Sequence, residues 1–513
     1  MSSAPHVEIL STSLEEIPQI RTRLRSTFAT GRTRQIAYRK TQLAQLGYLL
    51  QDNRQRFYDA LKRDFYRQEL ETELLEFSTV IDAALRAHSN VAKWTRPESA
   101  PLTFNSYFAS PMIYKEAKGT VLIVGPFNFP IYCNFLPLIG AIAAGCAVVL
   151  KPSEHTPATS ALLTELFPKY LDPDMYSIVN GAVTEMKTLL DLQWDHIFFT
   201  GSTTVGRIVA AAAAKHLTPI TLELGGKNPG IVDKSADLDA TARKLLAGKA
   251  GNGGQACLAP DFIMVHKDVH DKFIAALQTA YKQFWPDPQL QPEQQTHVIN
   301  AGAFQRMSKL LAATNGAVIA GGGLQLADAA TNYVPITLVD GVEPDDALME
   351  HEIFGPVFPI MTVDSVEAAV TSAPLAVYFF TNETKVANYI RENTRSGAIV
   401  QNEAVVQAGC LSSSFIARVC LTFHLVWGLP FGGVGESGYG HQGGKFTFDL
   451  FVYQRAGMKA PSFLEMILSV RYPPYTPSKM KMALWAVTPK VTLTRAGTSS
   501  TSWGKSSATS LHS

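Results

Sequence analysis

A disulfide framework is the first thing this sequence excludes. Its five cysteines, Cys133, Cys146, Cys257, Cys410 and Cys420, are odd in number, scattered, and contain no CxxC pair, so a reducing compartment is the default. Metal chemistry is equally unsupported. The twelve histidines are dispersed, with no HExxH and no Cys/His cluster. Charge of one sign is also lacking. Lys and Arg number 45 against 44 Asp and Glu, which gives no reason to expect nucleic acid or an anionic membrane as partner. No P-loop, no serine elbow and no internal repeat is present. The wider apolar region ending at Leu150 is broken by Pro126, Asn128, Pro130, Asn134 and Pro137, and the uninterrupted part, Leu136 to Leu150, is too short to cross a bilayer. The N-terminus, Met1 to Glu8, has neither a basic nor an apolar region, so no secretory signal is expected and the protein is placed in the cytoplasm.

What is present is apolar residue in quantity, 46% of 513 residues, with 17% charged, as in a compact enzyme of two or three domains. Residues 14–95 read as helices, with Leu43, Leu46, Leu49 and Leu50, then Phe57, Leu61 and Phe65, at helical spacing. From 119 the pattern becomes strand–helix–strand. Gly119 to Val124 is an apolar strand, residues 131–144 a helix, and Ala147 to Leu150 a second strand. The unit recurs with His196 to Thr200, an Ala-rich helix over 205–215, and Ile220 to Leu224. Alternating strands and helices predict a mostly parallel, doubly wound α/β sheet. A second α/β region runs from 228 to about 400, with helices near 237–250 and 268–284. Lys445 to Gln454 alternates in strand fashion through Phe446, Phe448, Leu450 and Val452. The tail after about 490 is rich in Ser, Thr and Gly, and disorder is expected there.

Cys257 stands in Asn252-Gly253-Gly254-Gln255-Ala256-Cys257-Leu258-Ala259-Pro260-Asp261. An inert buried thiol is the usual fate of a lone cysteine. Here two glycines let the backbone approach a ligand closely, which favours a nucleophile. Cys133 and Cys146 sit in apolar helix and strand contexts and read as structural. Glu223 interrupts an apolar strand ahead of Gly225-Gly226. Desolvation there would raise its pKa toward the range of a general base; the alternative is a structural ion pair with a nearby lysine. Gly201-Ser202-Thr203-Thr204-Val205-Gly206 follows a strand and opens a helix, a place where backbone N–H groups favour a phosphate. Lys151 and Glu154 end the neighbouring strand, where ribose hydroxyls could be bound, though a solvated strand end with a helix cap is the plainer reading. Asn128 is either a turn asparagine or an amide donor to a developing oxyanion. Glu352-Ile353-Phe354-Gly355-Pro356, taken alone, reads as a turn. His351 and His441 read as surface or packing residues.

Taken together, these runs resemble the aldehyde dehydrogenase superfamily, and most of all its class 3 and fatty aldehyde dehydrogenase branch. The similarity spans roughly residues 25–475. It rests on Gly125-Pro126-Phe127-Asn128-Phe129-Pro130, Lys151-Pro152-Ser153-Glu154, Phe199-Thr200-Gly201-Ser202, the Glu223 and Cys257 runs, Glu352-Ile353-Phe354-Gly355-Pro356, and Leu429-Pro430-Phe431-Gly432-Gly433-Val434-Gly435. Ala259-Pro260-Asp261 and Arg471-Tyr472-Pro473-Pro474 point to that branch. The resemblance implies that Cys257 attacks an aldehyde while Asn128 and the Cys257 N–H hold the oxyanion. Hydride then passes to NAD or NADP, and Glu223 activates water to release the acid. It further implies that Lys151 and Glu154 bind the adenosine ribose and Ser202, with Gly201 and Gly206 beside it, a phosphate. Glu352 would bind the nicotinamide ribose, with Phe354 beside the ring, and no metal takes part.

The implied fold has a helical N-terminal part and Rossmann-like dinucleotide-binding domain over 1–106 and 119–224, and a second α/β catalytic domain over 225–405. A small β oligomerisation arm over 107–118 and 440–456, a site loop over 406–439 and a tail over 457–513 complete it. A homodimer with at most peripheral attachment to an internal membrane is expected. A hydrophobic substrate, long-chain or apocarotenoid in type, follows from the branch. A CoA-acylating dehydrogenase and a catalytically inactive binding or structural homologue are the alternatives.

Two departures stand out. The loop between Gln401-Asn402-Glu403 and Leu429-Pro430-Phe431 is lengthened by residues 410–425. Codons for Gly409 can hold a GT donor, those for Leu421-Thr422 a CTGAC branch point, and those for Leu425-Val426 a TAG acceptor, so the segment reads as a translated intron or as a genuine loop insertion. The link near Thr371-Ser372-Ala373-Pro374 is shorter than the family's.

Overall fold

A computed structural model describes residues 11–101, 110–366, 373–405, 428–459, 461, 465 and 469–487. The suspect segment 410–425, the shortened link at Thr371-Ser372 and the tail after 490 lie outside the described residues. The chain divides into two compact units, Met1–Arg96 with Lys115–Gln454, and Pro97–Tyr114 with Arg455–Ser513.

In chain order the strands are β1 (Glu98–Ser99), β2 (Met112–Ala117), β3 (Thr120–Val124), β4 (Ala147–Lys151), β5 (Tyr176–Ile178), β6 (His196–Thr200), β7 (Ile220–Glu223) and β8 (Pro229–Val232), then β9 (Phe262–His266), β10 (Ala317–Ala320), β11 (Thr337–Asp340), β12 (Val357–Val363), β13 (Ala376–Phe380), β14 (Ala398–Gln401), β15 (Gly438–Tyr439) and β16 (Val452–Gly457). Three sheets result. A six-stranded sheet has the order β15-β7-β6-β3-β4-β5, a seven-stranded one β10-β11-β12-β9-β8-β13-β14, and a small one β1-β2-β16. The fold is α/β, a doubly wound Rossmann-like sheet followed by a second α/β sheet.

The first sheet is parallel from β7 to β5. From β3 the chain winds outward through β4 to β5, then returns to β6 and β7 on the other side. That reversal opens a crevice at the carboxyl ends of β3 and β6, the place where such sheets take ligands. The helix Tyr132–Ala144 connects β3 to β4; Leu138, Ala141, Ile142 and Ala143 on it are fully buried. The N-terminal helices pack into the same core, with Leu46, Leu49, Leu50, Phe57 and Leu61 at 0% exposure.

The second sheet is covered on both faces, so its strands read as continuous apolar runs. The period of two still sorts their side chains. Ile263 and Val265 enter one core with Ala376, Tyr378 and Phe380, while Phe262 and Met264 enter another with Val377 and Phe379.

One expected strand is a helix. Lys445–Leu450 is helical, introduced by Gly443 and Gly444 at φ +115° and +57°. The alternation of Phe446, Phe448, Leu450 and Val452 suggested a strand, but the fully buried pair is Phe448 and Phe451, spaced as on a helix. Lys445 and Asp449 pair across one turn at 2.6 Å. Phe448 and Phe451 belong to the core of the first sheet, and the strand that follows is β16. Among the described residues no helix is long and apolar enough to cross a membrane; the helix Pro477–Val487, which includes the apolar run from Met482, has 11 residues.

Candidate active site

Cys257 is placed by a turn that only particular residues can make. The helix Leu238–Ala250 ends in a tight turn over Gly251–Gly254, where Asn252, Gly253 and Gly254 adopt φ of +54°, +59° and +73°. Asparagine tolerates the left-handed region better than most residues, and glycine is unrestricted there. A Cβ on Gly254 would lie 2.2 Å from the Gly355 carbonyl oxygen, so the backbone passes where a side chain cannot. The half-buried Cys257 follows. Its carbonyl accepts from Asn228 Nδ2 at 2.7 Å, and the Leu258 carbonyl accepts from the Tyr378 hydroxyl at 2.7 Å. The cysteine thus sits on a segment tied to the second sheet. Burial, with Glu352 and Glu223 nearby, pushes its thiol up to about 12.

Glu223 ends β7. That strand is paired on both sides, with Thr200 of β6 and with Gly438 of the short antiparallel β15. A backbone held from two directions fixes where the side chain points. The carboxylate is 3% exposed, neither oxygen has a hydrogen-bond partner among the described residues, and burial alone drives its pKa well above the ordinary carboxylate value. The alternative of a structural ion pair is not realised. Lys227 is the nearby lysine in sequence, and its Nζ binds Asp261 at 2.6 Å and the carbonyls of Leu348 and His351 at 2.7 and 3.2 Å.

One cavity brings the two groups together. Its walls include Cys257, Glu223, Leu75, Phe129, Tyr132, Leu258, Val405 and Phe431, so apart from the acid and the thiol the lining is mostly apolar. Cys133 also lines it, its thiol raised far above the ordinary range by burial, which keeps it protonated. Asn128 is buried in the loop after β3, and its side-chain Nδ2 donates to the Gln255 carbonyl at 3.0 Å, two residues before the cysteine.

The other residues singled out from sequence cluster around the crevice of the first sheet and the loop before β12. Lys151, buried at the end of β4, donates to Glu154 at 2.9 Å and to the Pro152 carbonyl at 3.1 Å. Burial would raise the Glu154 carboxyl, but Lys151 outweighs it and the net shift is downward. Ser202 caps the helix Thr203–Ala214 by accepting from the Val205 N–H at 3.4 Å, so the leading amides of that helix border the crevice. Gly201 has no room for a side chain, since a Cβ would lie 2.6 Å from the Phe199 ring. The Gly206 N–H is committed to the Ser202 carbonyl at 2.9 Å, and a Cβ would lie 2.9 Å from Leu224 Cδ2, so a glycine here permits close packing of helix on strand.

Glu352 is not the plain turn acid suggested by its sequence alone. Its carboxylate lies over Gly225, where a Cβ would stand 2.4 Å from Oε2. Burial, then Asp261, pushes it up to about 8. Phe354 takes φ +44°, and its ring lies 5.9 Å from that of Phe127, edge to face, in the Asn128 loop. His351 and His441 are exposed. Among the described residues no group of His, Cys, Asp and Glu could hold a metal.

Sequence reasoning missed the residues that hold this arrangement. Arg67, Glu76, Asn252, Asn228, Tyr378 and Asp261 all act on backbone groups far along the chain, and none has a local signature.

Known proteins place this geometry. The sequence model of the aldehyde dehydrogenase family matches residues 4–456. Aldehyde dehydrogenase family 3 member H1 of Arabidopsis thaliana is 38% identical over 475 residues, covering 91% of this chain and 94% of that protein. Beta-apo-4'-carotenal oxygenase of Neurospora crassa is 36% identical over 497 residues, covering 95% and 89%. The substrate-bound AldH of Staphylococcus aureus superposes with a TM-score of 0.84 at 31% identity, covering 93% of this chain and all of that one.

Proposed function

Because the chain belongs to the aldehyde dehydrogenase family, we propose that it oxidises a hydrophobic aldehyde, long-chain or apocarotenoid in type, to its carboxylic acid through thioester chemistry on Cys257. It is an NAD(P)-dependent aldehyde dehydrogenase. The observation that carries the finer reading is the cavity where the Cys257 thiol and a carboxylate without a hydrogen-bond partner among the described residues share an otherwise mostly apolar lining. Apolar walls favour a hydrophobic substrate tail. The resemblance to a carotenal-named relative supports the apocarotenoid class.

The chemistry follows from the groups present. The Cys257 thiol gives its proton to solvent water, Sγ adds to the aldehyde carbon, and the electron pair of the C=O π bond moves to the carbonyl oxygen, which becomes an oxyanion. The Asn128 amide and the Cys257 N–H stabilise that oxyanion. Bound NAD or NADP supplies the hydride acceptor. The residues present fit it: Lys151 and Glu154 would hold the adenosine ribose, Ser202 and the leading amides of its helix a phosphate, and Glu352 the nicotinamide ribose, with Phe354 beside the ring. Loss of hydride leaves a thioester on Cys257. Glu223, desolvated and unpaired, takes a proton from water as the water attacks the thioester carbon. The acid leaves and the thiol is restored.

A water-activating carboxylate argues against transfer of the acyl group to CoA, the principal alternative. An inactive homologue would retain the fold without turnover. We also infer a homodimer built through the β1-β2-β16 sheet, a cytoplasmic location, and at most peripheral association with an internal membrane.

The test uses purified protein with NAD or NADP and a panel of short-chain, long-chain and apocarotenoid aldehydes. Reduced cofactor is expected to form fastest with the hydrophobic members and to vanish in Cys257→Ala. Cofactor binding without turnover would establish the inactive homologue, and formation of product only when CoA is added would establish acyl transfer.

A further inference from the structure

The helical segment ahead of β1 reaches into the site through one buried ion pair. Arg67 and Glu76 are both 0% exposed and in direct contact. The Arg67 guanidinium lies between the rings of Phe65 and Phe129, at 4.8 and 4.9 Å from their centroids. Isolating two charges from water costs several kcal/mol per ion, so a pair kept in such a place needs further hydrogen bonds to stabilise it. Here every one of those bonds goes to the site. Glu76 Oε2 accepts from the N–H groups of Ile131 and Tyr132 at 2.6 and 2.9 Å, fixing the chain just after the Asn128 loop. Arg67 Nη2 donates to the Asn128 carbonyl at 2.5 Å, and Nε donates to Asn252 Oδ1 at 3.1 Å.

The last bond decides the rest. With Oδ1 of Asn252 facing a guanidinium that can only donate, its Nδ2 must point the other way. It donates to the Asn128 and Gln255 carbonyls, both at 2.9 Å. The Asn128 side chain donates to the same Gln255 carbonyl at 3.0 Å. That bond takes one of two N–H groups on the Asn128 amide and leaves the second for an oxyanion. The turn over Glu73–Phe77 is of the wider π type, a form frequent at functional sites. It sends Glu76 inward while Leu75 lines the cavity.

We infer that Arg67 and Glu76 are a positioning pair that sets the distance between the Asn128 amide and the Cys257 backbone, and hence the shape of the oxyanion site; this rests on the dehydrogenase reading above. Neither residue touches substrate, so the effect is expected in the rate of chemistry and in thiol presentation, with cofactor binding left alone.

The test variant is Arg67→Met/Glu76→Gln. It removes the donors to Asn128 and Asn252 but keeps an acceptor for Ile131 and Tyr132 and leaves no unpaired charge. Its kcat is expected to fall by about 100-fold, the scale of an ångström's misplacement, with KM for the cofactor within about twofold. Adding Asn128→Ala to this variant should slow it little beyond Asn128→Ala alone, because both act on one interaction. Alkylation of Cys257 by iodoacetamide, followed by mass spectrometry, should change in rate and be partly restored in Arg67→Lys, which keeps the charge. Multiplicative losses with Asn128→Ala, or an unchanged alkylation rate, overturn the proposal. If the parent protein reduces no cofactor with any aldehyde, the dehydrogenase reading has failed instead, and alkylation still decides whether the pair positions the cysteine. If the double variant does not fold, Arg67→Lys against the parent supplies the same comparison.

Discussion

Burial and the lack of a hydrogen-bond donor among the described residues oppose the ionised form of Glu223, yet the proposed chemistry needs that form. Its folded pKa lies well above the ordinary carboxylate value because of desolvation. A carboxyl raised in this way favours the folded state below its unfolded pKa, and that contribution disappears as pH rises through the folded value. Glu223→Gln should therefore separate stability from function. Its melting temperature relative to the parent is expected to climb from pH 5 to pH 9, while steady-state turnover falls by about 100-fold or more, the usual effect of removing a general base. A rapid first equivalent of reduced cofactor should survive, since thioester formation precedes the step that Glu223 assists. Scanning fluorimetry across pH and stopped-flow absorbance measure the two. A parent that stays equally or more stable relative to the variant at high pH would mean that Glu223 has a partner in solution. Glu352, pushed to about 8 by burial and Asp261, adds to the same loss of stability at alkaline pH.

Elements explain which parts could be read from the chain alone. Cys257 and Glu223 were legible because each breaks a local pattern, a thiol after two glycines and an acid at the end of an apolar strand. The strands were legible because both faces are buried. Arg67 was not, because its bonds span 61 residues to Asn128 and 185 to Asn252, and nothing in the short link that carries it, between the helices Arg54–Phe65 and Glu69–Thr72, records them. The helix Lys445–Leu450 was misread because six residues are too few to separate a period of two from one of 3.6. Gly140 was silent for a related reason: a glycine inside an apolar helix has no local meaning. In the structure a Cβ there would lie 2.4 Å from Thr447 Cγ2 and 2.9 Å from the Thr447 backbone carbon. The glycine lets the helix Tyr132–Ala144 and the helix Lys445–Leu450 touch. Gly140→Ala should accordingly destabilise the protein by about 1–3 kcal/mol through overpacking, although alanine is the better helix former by about 1 kcal/mol. Denaturant melts of parent and variant measure the difference, and a stabilised variant would show that the two helices are not in close contact.

At the scale of the whole molecule, the described residues Val405 and Phe431 both line the cavity that holds Cys257 and Glu223. In sequence they stand on either side of the lengthened connection. Residues 410–425 add to that connection two cysteines and the apolar run Val419-Cys420-Leu421-Thr422-Phe423, while the rest of the described chain already forms its sheets and cores. A connection of unusual length is either functional or foreign to the fold. These alternatives predict different proteins. If the segment is a translated intron, transcripts lack its codons, and a natural peptide joins Gly409 directly to Val426. The shortened chain should then turn over hydrophobic aldehydes at least as well as the chain with 410–425, because long insertions are tolerated thermodynamically but add nothing to a site that the natural chain completes without them. If it is a genuine loop, transcripts keep the codons, and its deletion should raise KM for long aldehydes more than for short ones while leaving the cofactor KM unchanged. Transcript sequencing with peptide mass spectrometry, and paired kinetics of the two chains, decide between them. Retained codons together with a deletion that changes neither KM would refute both accounts.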